Sequence, residues 1–269
     1  MLTRAEQPHL TAGANAYRIA EFRSPPASLR TRHLKHPASA SKTSADPAPA
    51  PSLAHQPKVA ILLCTYQGQH YLEEQRMSFQ AQSHRHWVLH VSDDGSSDDT
   101  HHILQRYQAL LGADRMSIKE GPLQGFASNF LAPTTDLYAK SDYYAYSDQD
   151  DVWEADKLER ALAWLQTIAP SVPALYCSRT RVVDARDVSI GLSPLFEKPP
   201  CFASALVQNI GGGNTMVFNE AARQLIAQTT DANQLVSHDW WAYLLVSAGA
   251  AQCARTPTPA CVIANMPTT

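Results

Sequence analysis

The sequence of 269 residues lacks three features that would each define a class of protein. No run of about 18 apolar residues occurs, which excludes a transmembrane helix. No charged start leads into an apolar stretch, so we expect no secretory signal peptide. The five cysteines form no C-x-x-C pair, which favours reduced thiols in the cytosol over a zinc site or disulfide framework. We therefore expect a cytoplasmic protein. We expect any contact with the membrane to be peripheral and at the inner face of the membrane.

Charged residues are also scarce, at 17% of the chain, and they are unevenly distributed. Residues 1–57 carry seven Lys or Arg against three Asp or Glu, whereas residues 58–269 carry 15 basic and 22 acidic side chains. Binding to a nucleic-acid backbone needs a dense basic face, so the acidic body excludes a nucleic-acid partner. An excess of carboxylates is instead compatible with a divalent metal site.

Residues 1–57 hold eight of the 18 prolines and 12 alanines, and few large apolar side chains. Such a segment cannot bury enough surface to offset its ordering entropy, so we predict a disordered extension. Its composition also fits an organelle transit peptide. An extension upstream of the natural start is the alternative that we favour.

From Lys58 onward the pattern predicts alternating strands and helices. We predict strands at 59–64, 87–91, 116–119 and 143–147, and helices at 71–81, from Asp98 to 111, and from Asp156 onward. Further along we predict strands at 174–178, 180–183 and 214–218, a loop at 191–204, and helices at 220–228 and 240–248. The alternation indicates βαβ units, and hence an α/β fold with a mostly parallel central sheet and helices on both faces.

Polar clusters follow three of these strands, where ligands bind in open α/β sheets. After the fourth strand come Asp148, Asp150 and Asp151, three carboxylates within four residues. Oxygen ligands suit Mg²⁺ or Mn²⁺, and Mg²⁺ usually shares substrate phosphates. The alternative is a solvated acidic turn before the next helix, which a D-x-D pattern alone would favour.

The cluster after the second strand, residues 92–100, also has two interpretations. Asp94-Gly95 favours a tight turn and Asp98 is a suitable helix cap, which needs no ligand. An EF-hand is excluded because the spacing of acids and the closing Glu are missing. Alternatively, a carboxylate at this strand end accepts hydrogen bonds from a base or a ribose.

The order of the motifs is more specific than any one of them. It runs through Thr65-Tyr66, Asp93-Asp94-Gly95-Ser96, residues 125–130, residues 147–153 with Lys157-Leu158, residues 213–219 and residues 238–241. This series resembles the family 2 inverting glycosyltransferases of the GT-A fold, and most closely their bacterial rhamnosyltransferase-like branch. The resemblance covers residues 58–250, and on it we assign residues 58–269 to one glycosyltransferase domain.

The resemblance implies a role for each matching position. Nucleotide-sugar binding is implied for eight residues, which are Thr65, Tyr66, Asp93, Asp94, Gly125, Asn129, Asp148 and Gln149. Asp150 and Asp148 would hold Mg²⁺ or Mn²⁺, with Asp151 assisting. Asp239 matches the catalytic base, and the acceptor site would be bordered by Gly213, Asn214, Thr215, Trp240 and Trp241.

The implied reaction is a single in-line displacement at the anomeric carbon. It would move a sugar, rhamnose being one candidate, from a dTDP- or UDP-linked donor to a saccharide or lipid-linked acceptor in surface polysaccharide biosynthesis. One carboxylate takes the proton of the acceptor hydroxyl, and a cation stabilises the diphosphate that leaves. Without the resemblance, Asp239 would be interpreted as an acid in the first turn of a helix, and one of the two tryptophans as a core residue.

One departure from the family pattern leaves a second function open. Members of this branch continue past the tryptophan pair into a segment with a histidine that helps hold the metal and diphosphate, and no histidine follows His238 here. We therefore expect a domain truncated at its carboxyl end, and keep a nucleotide-sugar-binding protein without turnover as the alternative. A haloacid dehalogenase-type phosphatase is disfavoured, because it needs D-x-D after the first strand.

Overall fold

Nine strands pair into one sheet in the computed structural model of the protein, which describes residues 56–136, 140–184, 186–229, 235–249 and 251–264. The predicted extension at residues 1–57 lies outside the described residues, except for Gln56 and Pro57. The strands are β1 (Val59–Thr65), β2 (Trp87–Asp93), β3 (Met116–Glu120), β4 (Tyr143–Ser147), β5 (Val152–Trp153), β6 (Ala174–Val183), β7 (Ser189–Leu192), β8 (Val217–Asn219) and β9 (Gln252–Ala264). The helices are α1 (Leu72–Gln80), α2 (Thr100–Leu111), α3 (Phe126–Thr135), α4 (Lys157–Leu165), α5 (Phe202–Ala205), α6 (Glu220–Ile226) and α7 (His238–Ala248).

The sheet has the order β3-β2-β1-β4-β8-β6-β9-β5, with β7 paired to β6. Strands β3, β2, β1 and β4 are mutually parallel, and so are β6 and β9. The pairs β4–β8, β8–β6, β6–β7 and β9–β5 are antiparallel. The predicted α/β fold is confirmed, with a parallel first half and a mixed second half.

Alternation of side chains along β1 divides the core between the two faces of the sheet. Val59, Ile61 and Leu63 pack with residues of α1, α2 and α4, whereas Ala60 and Leu62 pack with residues of α3, α6 and α7. All seven residues of β1 are buried, which is typical of a central strand covered by helices on both faces. Burial on both faces leaves the ends of the strands as the place for polar chemistry.

Several elements differ from the sequence-based prediction. Residues 213–218 form a 3₁₀ turn at Gly213–Thr215 followed by β8, not one strand. Strand β6 is continuous where two strands were predicted, and β7 and α5 overlap the predicted loop at 191–204. Asp98 accepts a hydrogen bond from the Thr100 N–H, but the N-cap position of α2 belongs to Asp99.

Helix α3 and strands β5 and β9 were not predicted. Helix α3 contains Pro133, and β9 contains Pro257 and Pro259, residues that usually interrupt these structures. Strand β9 accommodates its prolines where its register with β6 shifts on either side of Arg179. None of the helices within the described ranges is long and apolar enough to cross a membrane.

Candidate functional site

The carboxyl ends of β1, β2 and β4 lie together at one edge of the sheet. Thr65 is in register with Asp93 across β1 and β2, and Leu63 with Ser147 across β1 and β4. The Thr65 hydroxyl donates to Asp93 Oδ1 over 2.7 Å, and the N–H and hydroxyl of Ser96 donate to the same carboxylate over 2.9 and 2.6 Å. Thr65 and the buried Asp93 are therefore fixed side by side, and their role in nucleotide binding stays a prediction.

Asp94 organises the loop between β3 and α3. Its Oδ1 accepts the Leu123 N–H over 2.6 Å and its Oδ2 accepts the Gly125 N–H over 3.1 Å. Gly125 has φ of 89°, in the left-handed region that favours glycine. Asp94 and Gly125 were predicted separately as nucleotide-sugar-binding residues. They are joined by a direct hydrogen bond beside the strand ends.

Asn129, in α3, connects the carboxyl ends of β1 and β2. Its side chain is 2% exposed, and its amide group donates to the carbonyl oxygens of Ser92 and Thr65 over 3.1 and 3.4 Å. Its Oδ1 accepts the Ser92 hydroxyl over 2.6 Å. This bonding supports the strand ends from within the core.

Gln149, which follows β4, bonds to the loop after β1 at the same edge of the sheet. Its side-chain amide bonds to the main chain of Tyr66, whose own side chain is 57% exposed. Gly68 leaves room for this approach, because a Cβ atom there would displace the Gln149 side chain. Tyr66 and Gln149 therefore lie in contact, as the prediction of one nucleotide pocket requires.

The acidic loop, defined here as residues 148–151, carries carboxylates that disfavour one another's ionisation. Burial raises the pKa of Asp148 to about 7, and the charges of Asp150 and Asp239 add to the effect. Burial, together with Asp148 and Asp150, also raises the pKa of Asp151, which is 3% exposed. Asp150 is exposed to solvent, yet nearby protein atoms reduce the hydration of its carboxylate and raise its pKa. Such a concentration of partly hydrated negative charge favours binding of a cation.

Three hydrogen-bond donors contact the carboxylate of Asp239, which lies in the first turn of α7. Its Oδ2 accepts the Gly213 N–H over 3.0 Å, and its Oδ1 accepts the Trp240 N–H over 2.7 Å and the Ser237 hydroxyl. Ser237 occupies the N-cap of the helix, so Asp239 is a first-turn acid as well as a candidate base. The Gly213 N–H belongs to the turn before β8, and the Met216 carbonyl after that turn accepts the Tyr146 N–H of β4 over 3.2 Å, so Asp239 is connected to the strand that the acidic loop follows.

The predicted acceptor residues fall into two groups. Trp240 and Trp241 are half-buried, and their indole N–H groups donate to the Ala205 carbonyl over 2.6 Å and to the Thr229 hydroxyl over 2.7 Å. Gly213, Asn214 and Thr215 are buried in the 3₁₀ turn. The role of the tryptophans in acceptor binding stays a prediction, whereas burial of the turn favours a supporting role for Gly213, Asn214 and Thr215.

Two buried residues near the site have no assigned role in the sequence-based prediction. His238 stacks on Phe130 with ring centroids 3.8 Å apart, and burial lowers its pKa to about 4. Lys157 is fully buried, with its Nζ 3.3 Å from the centroid of the Trp153 ring. Both residues belong to the motifs quoted above. Lys157 could have been recognised from the sequence, because it is a lysine next to the apolar residues that define the buried face of α4.

The carboxylates of the acidic loop supply part of a ligand set for a divalent cation. Within the described ranges, no three His, Cys, Asp or Glu side chains converge as a complete ligand set. Asp148 and Asp150 still provide hard oxygen donors with raised pKa values, and Mg²⁺ commonly completes its shell with water and substrate phosphates. The residues therefore fit a cation held jointly by the protein and a diphosphate.

Comparison with known proteins agrees with this geometry. The dTDP-rhamnosyl transferase RfbG of Shigella flexneri is 26% identical over 189 residues, which cover 67% of this chain and 63% of RfbG. The structure of S. aureus TarS 1-349 in complex with UDP-GlcNAc superposes with a TM-score of 0.61 at 15% identity, over 79% of this chain and 60% of TarS 1-349. The mannosyltransferase PcManGT from Pyrobaculum calidifontis, in complex with GDP-Man and Mn²⁺, superposes with a TM-score of 0.55 at 18% identity, over 79% of this chain and 58% of PcManGT.

The two structural similarities establish the fold, and the chain spans about three fifths of the length of each of these three proteins. The model of the family described as "Glycosyl transferase family 2" matches residues 60–228. The match includes every strand end described above and the acidic loop, and Asp239 follows it. By this match over more than half of its length, the chain belongs to glycosyl transferase family 2.

Proposed function

We propose that the protein is a metal-dependent inverting glycosyltransferase, which moves a sugar from a nucleoside diphosphate donor to a saccharide or lipid-linked acceptor in surface polysaccharide biosynthesis. The observation that carries the proposal is the position of the Gly213–Thr215 turn between Asp239 and the end of β4, which the acidic loop follows. The Gly213 N–H donates to Asp239 over 3.0 Å, and the Met216 carbonyl, directly after the turn, accepts the Tyr146 N–H over 3.2 Å. A one-step displacement needs a base and a cation close together, and this geometry supports that arrangement.

In the proposed reaction, Asp239 takes the proton of the acceptor hydroxyl. The oxygen of that hydroxyl forms a bond to the anomeric carbon, and the bond from this carbon to the diphosphate oxygen breaks. The N–H groups of Gly213 and Trp240 orient the Asp239 carboxylate for this step. A bound divalent cation supplies electrostatic stabilisation of the diphosphate, and Asp148 and Asp150 are the residues that would hold it.

The donor is proposed from the relatives. RfbG is named a dTDP-rhamnosyl transferase, whereas TarS and PcManGT were solved with UDP-GlcNAc and GDP-Man. RfbG matches 67% of this chain, so we propose a dTDP- or UDP-linked donor and rhamnose as the first sugar to test.

The acceptor side carries an apolar surface that suits a lipid-linked substrate. Phe202, Leu206 and Val207 are 42%, 60% and 76% exposed, and the Ala205 carbonyl between them accepts the Trp240 indole N–H. We propose that this surface contacts the inner face of the membrane while the tryptophans face the acceptor. Replacing Leu206 and Val207 by serine should then reduce flotation with anionic lipid vesicles, and unchanged flotation would contradict this placement.

The central test is transfer from a panel of dTDP-, UDP- and GDP-linked sugars with Mn²⁺ or Mg²⁺. Asp239→Asn should lower kcat by about 10²- to 10⁴-fold, the usual contribution of a general base. Asp150→Ala should weaken Mn²⁺-dependent binding of the nucleoside diphosphate, and the exposed Asp114→Asn is the matched control. Transfer that both site variants leave unchanged would refute the proposal. Calorimetric binding without turnover of any donor would support the binding-only alternative.

A further inference from the structure

An exposed aromatic side chain at the start of α3 is not used by the proposed reaction. Phe126, the first residue of this helix, is 55% exposed. Its position follows from the sheet, because Glu120 at the end of β3 is in register with Asp93, and the Gly121 N–H donates to the Asp93 carbonyl over 2.7 Å. Residues 121–125 therefore lead from the carboxyl ends of the strands directly into α3. Phe126 lies at the edge of the sheet that carries the candidate site.

Hydrogen bonds and a ring contact fix the position of Phe126. The preceding residue, Gly125, donates its N–H to Asp94 Oδ2 over 3.1 Å, and its carbonyl accepts the Asn129 N–H over 3.0 Å. The Phe126 ring meets the buried His238 ring with centroids 6.2 Å apart and planes at 76°. The ring is thus supported on one side and open to solvent elsewhere. A group that is already held in place loses little conformational entropy when a ligand binds to it.

Phe126 lies between the two ends of the proposed reaction. Through Gly125 it adjoins Asp94, which is predicted to bind the nucleotide, and through His238 it adjoins Asp239, the candidate base. In a one-step displacement, the sugar that is transferred lies between the nucleoside diphosphate and the acceptor hydroxyl. The C–H groups of a sugar ring carry partial positive charge, so they pack favourably against the negative face of an aromatic ring.

We propose that Phe126 is a substrate-binding residue, whose ring packs against the sugar that is transferred. The inference rests on the proposed function, because it takes Asp94 as the nucleotide side of the site and Asp239 as the acceptor side. It adds a contact to the sugar itself, whereas the residues described above are assigned to the nucleotide, the cation, the base and the acceptor.

Calorimetry separates binding of the sugar from binding of the nucleotide and requires no turnover. We would measure Kd values of the full chain, with Mn²⁺, for dTDP and dTDP-rhamnose, UDP and UDP-GlcNAc, and GDP and GDP-Man. For each pair that binds, Phe126→Ala should raise the Kd of the nucleotide sugar by about fivefold, and that of the nucleoside diphosphate by less than about twofold.

Two further variants control this measurement. Phe126→Tyr keeps the ring and should retain the wild-type Kd values within about twofold. Leu110→Ala is the matched control, because Leu110 is an apolar residue of α2 that is 69% exposed, and it should change neither Kd. Urea unfolding verifies that all three variants fold, as we expect for side chains that are more than half exposed.

Each outcome decides the role of Phe126. Equal weakening of the nucleoside diphosphate and the nucleotide sugar in Phe126→Ala would assign the effect to the nucleotide and overturn the inference. Unchanged Kd values for the nucleotide sugars would overturn it as well, even if the acceptor KM rose, because the ring would then face the acceptor. If none of the three nucleoside diphosphates binds the wild type, the proposed function fails and the inference fails with it. That result is distinct from nucleotide-sugar binding that Phe126→Ala leaves unaltered, which overturns the inference alone.

Discussion

The side-chain amide of Gln149 forms two hydrogen bonds with the main chain of Tyr66. Gln149 Oε1 accepts the Tyr66 N–H and Gln149 Nε2 donates to the Tyr66 carbonyl, each over 2.9 Å. The two residues are 83 positions apart and follow β4 and β1. An amide is the side chain that satisfies a backbone donor and acceptor together, so the middle residue of the D-x-D element joins the two loops.

Gln149→Leu should therefore loosen the loop after β1 and impair donor binding. Both bonds are lost, while the exposed Tyr66 main chain is free to bond to water, so we expect about 1 kcal/mol less stability. Donor KM should rise by about fivefold or more, corresponding to about 1 kcal/mol. Steady-state kinetics measure this, with the exposed Gln166→Leu as control. Equal donor KM values for the two variants would contradict the role of Gln149.

Gly213→Ala should displace the candidate base. A Cβ atom at this position would lie 2.5 Å from His238 Nε2 and 3.3 Å from Asp239 Cβ, so the turn or α7 must shift. We expect a loss of about 1–3 kcal/mol in unfolding free energy, as for overpacking of a core, and a fall in kcat. Gly191→Ala is the matched control, because a Cβ atom there meets nothing within 4 Å. A Gly213 variant with the kinetics of the Gly191 variant would show that the turn does not position Asp239.

Asn129→Leu should destabilise the strand ends with little change of volume. The substitution leaves the Ser92 hydroxyl and carbonyl without their buried partner, at a cost of about 2–3 kcal/mol. Urea unfolding measures the difference. A change below about 0.5 kcal/mol, the range of ordinary surface substitutions, would show that these bonds contribute little.

His238 should make stability depend on pH in the acidic range. Its pKa is about 4 in the folded protein against 6.5 ordinarily, mainly through burial, while the charge of Asp239 acts in the opposite direction. The unfolded chain therefore binds the proton more tightly, so this contribution is complete above pH 6.5 and is lost as pH falls toward 4. The loss amounts to about 3 kcal/mol at most.

His238→Phe keeps the ring against Phe130 but cannot be protonated. The wild type should thus lose unfolding free energy relative to this variant between pH 6.5 and 4, as denaturant titrations at several pH values would measure. Parallel pH profiles for the two proteins would show that His238 does not titrate in this range.

The parallel half of the sheet was predictable because its signals are local. The apolar run of β1 and the alternation of strands and helices up to α4 need no distant contact to be recognised. The elements predicted there are confirmed within a few residues, and only α3 and β5 in this part of the chain were not predicted. The acidic loop was located for the same reason, since three carboxylates at a strand end are visible in the sequence. Strand β9 was missed because Pro257 and Pro259 argue against a strand, whereas pairing with β6 and β5 overrides that local preference.

By itself, the sequence determined the α/β fold, the order of the motifs and the residue types that a sugar transfer needs. Only the tertiary structure decided which side chains face the site and which support it. Asn214 was predicted to border the acceptor, and it lies buried with its carbonyl oxygen bonded to Lys157 Nζ. The physical reason is that burial and hydrogen bonding depend on residues distant in sequence. Lys157 and Asn214, which are 57 positions apart, are brought together by the sheet, and no local pattern in the chain encodes that contact.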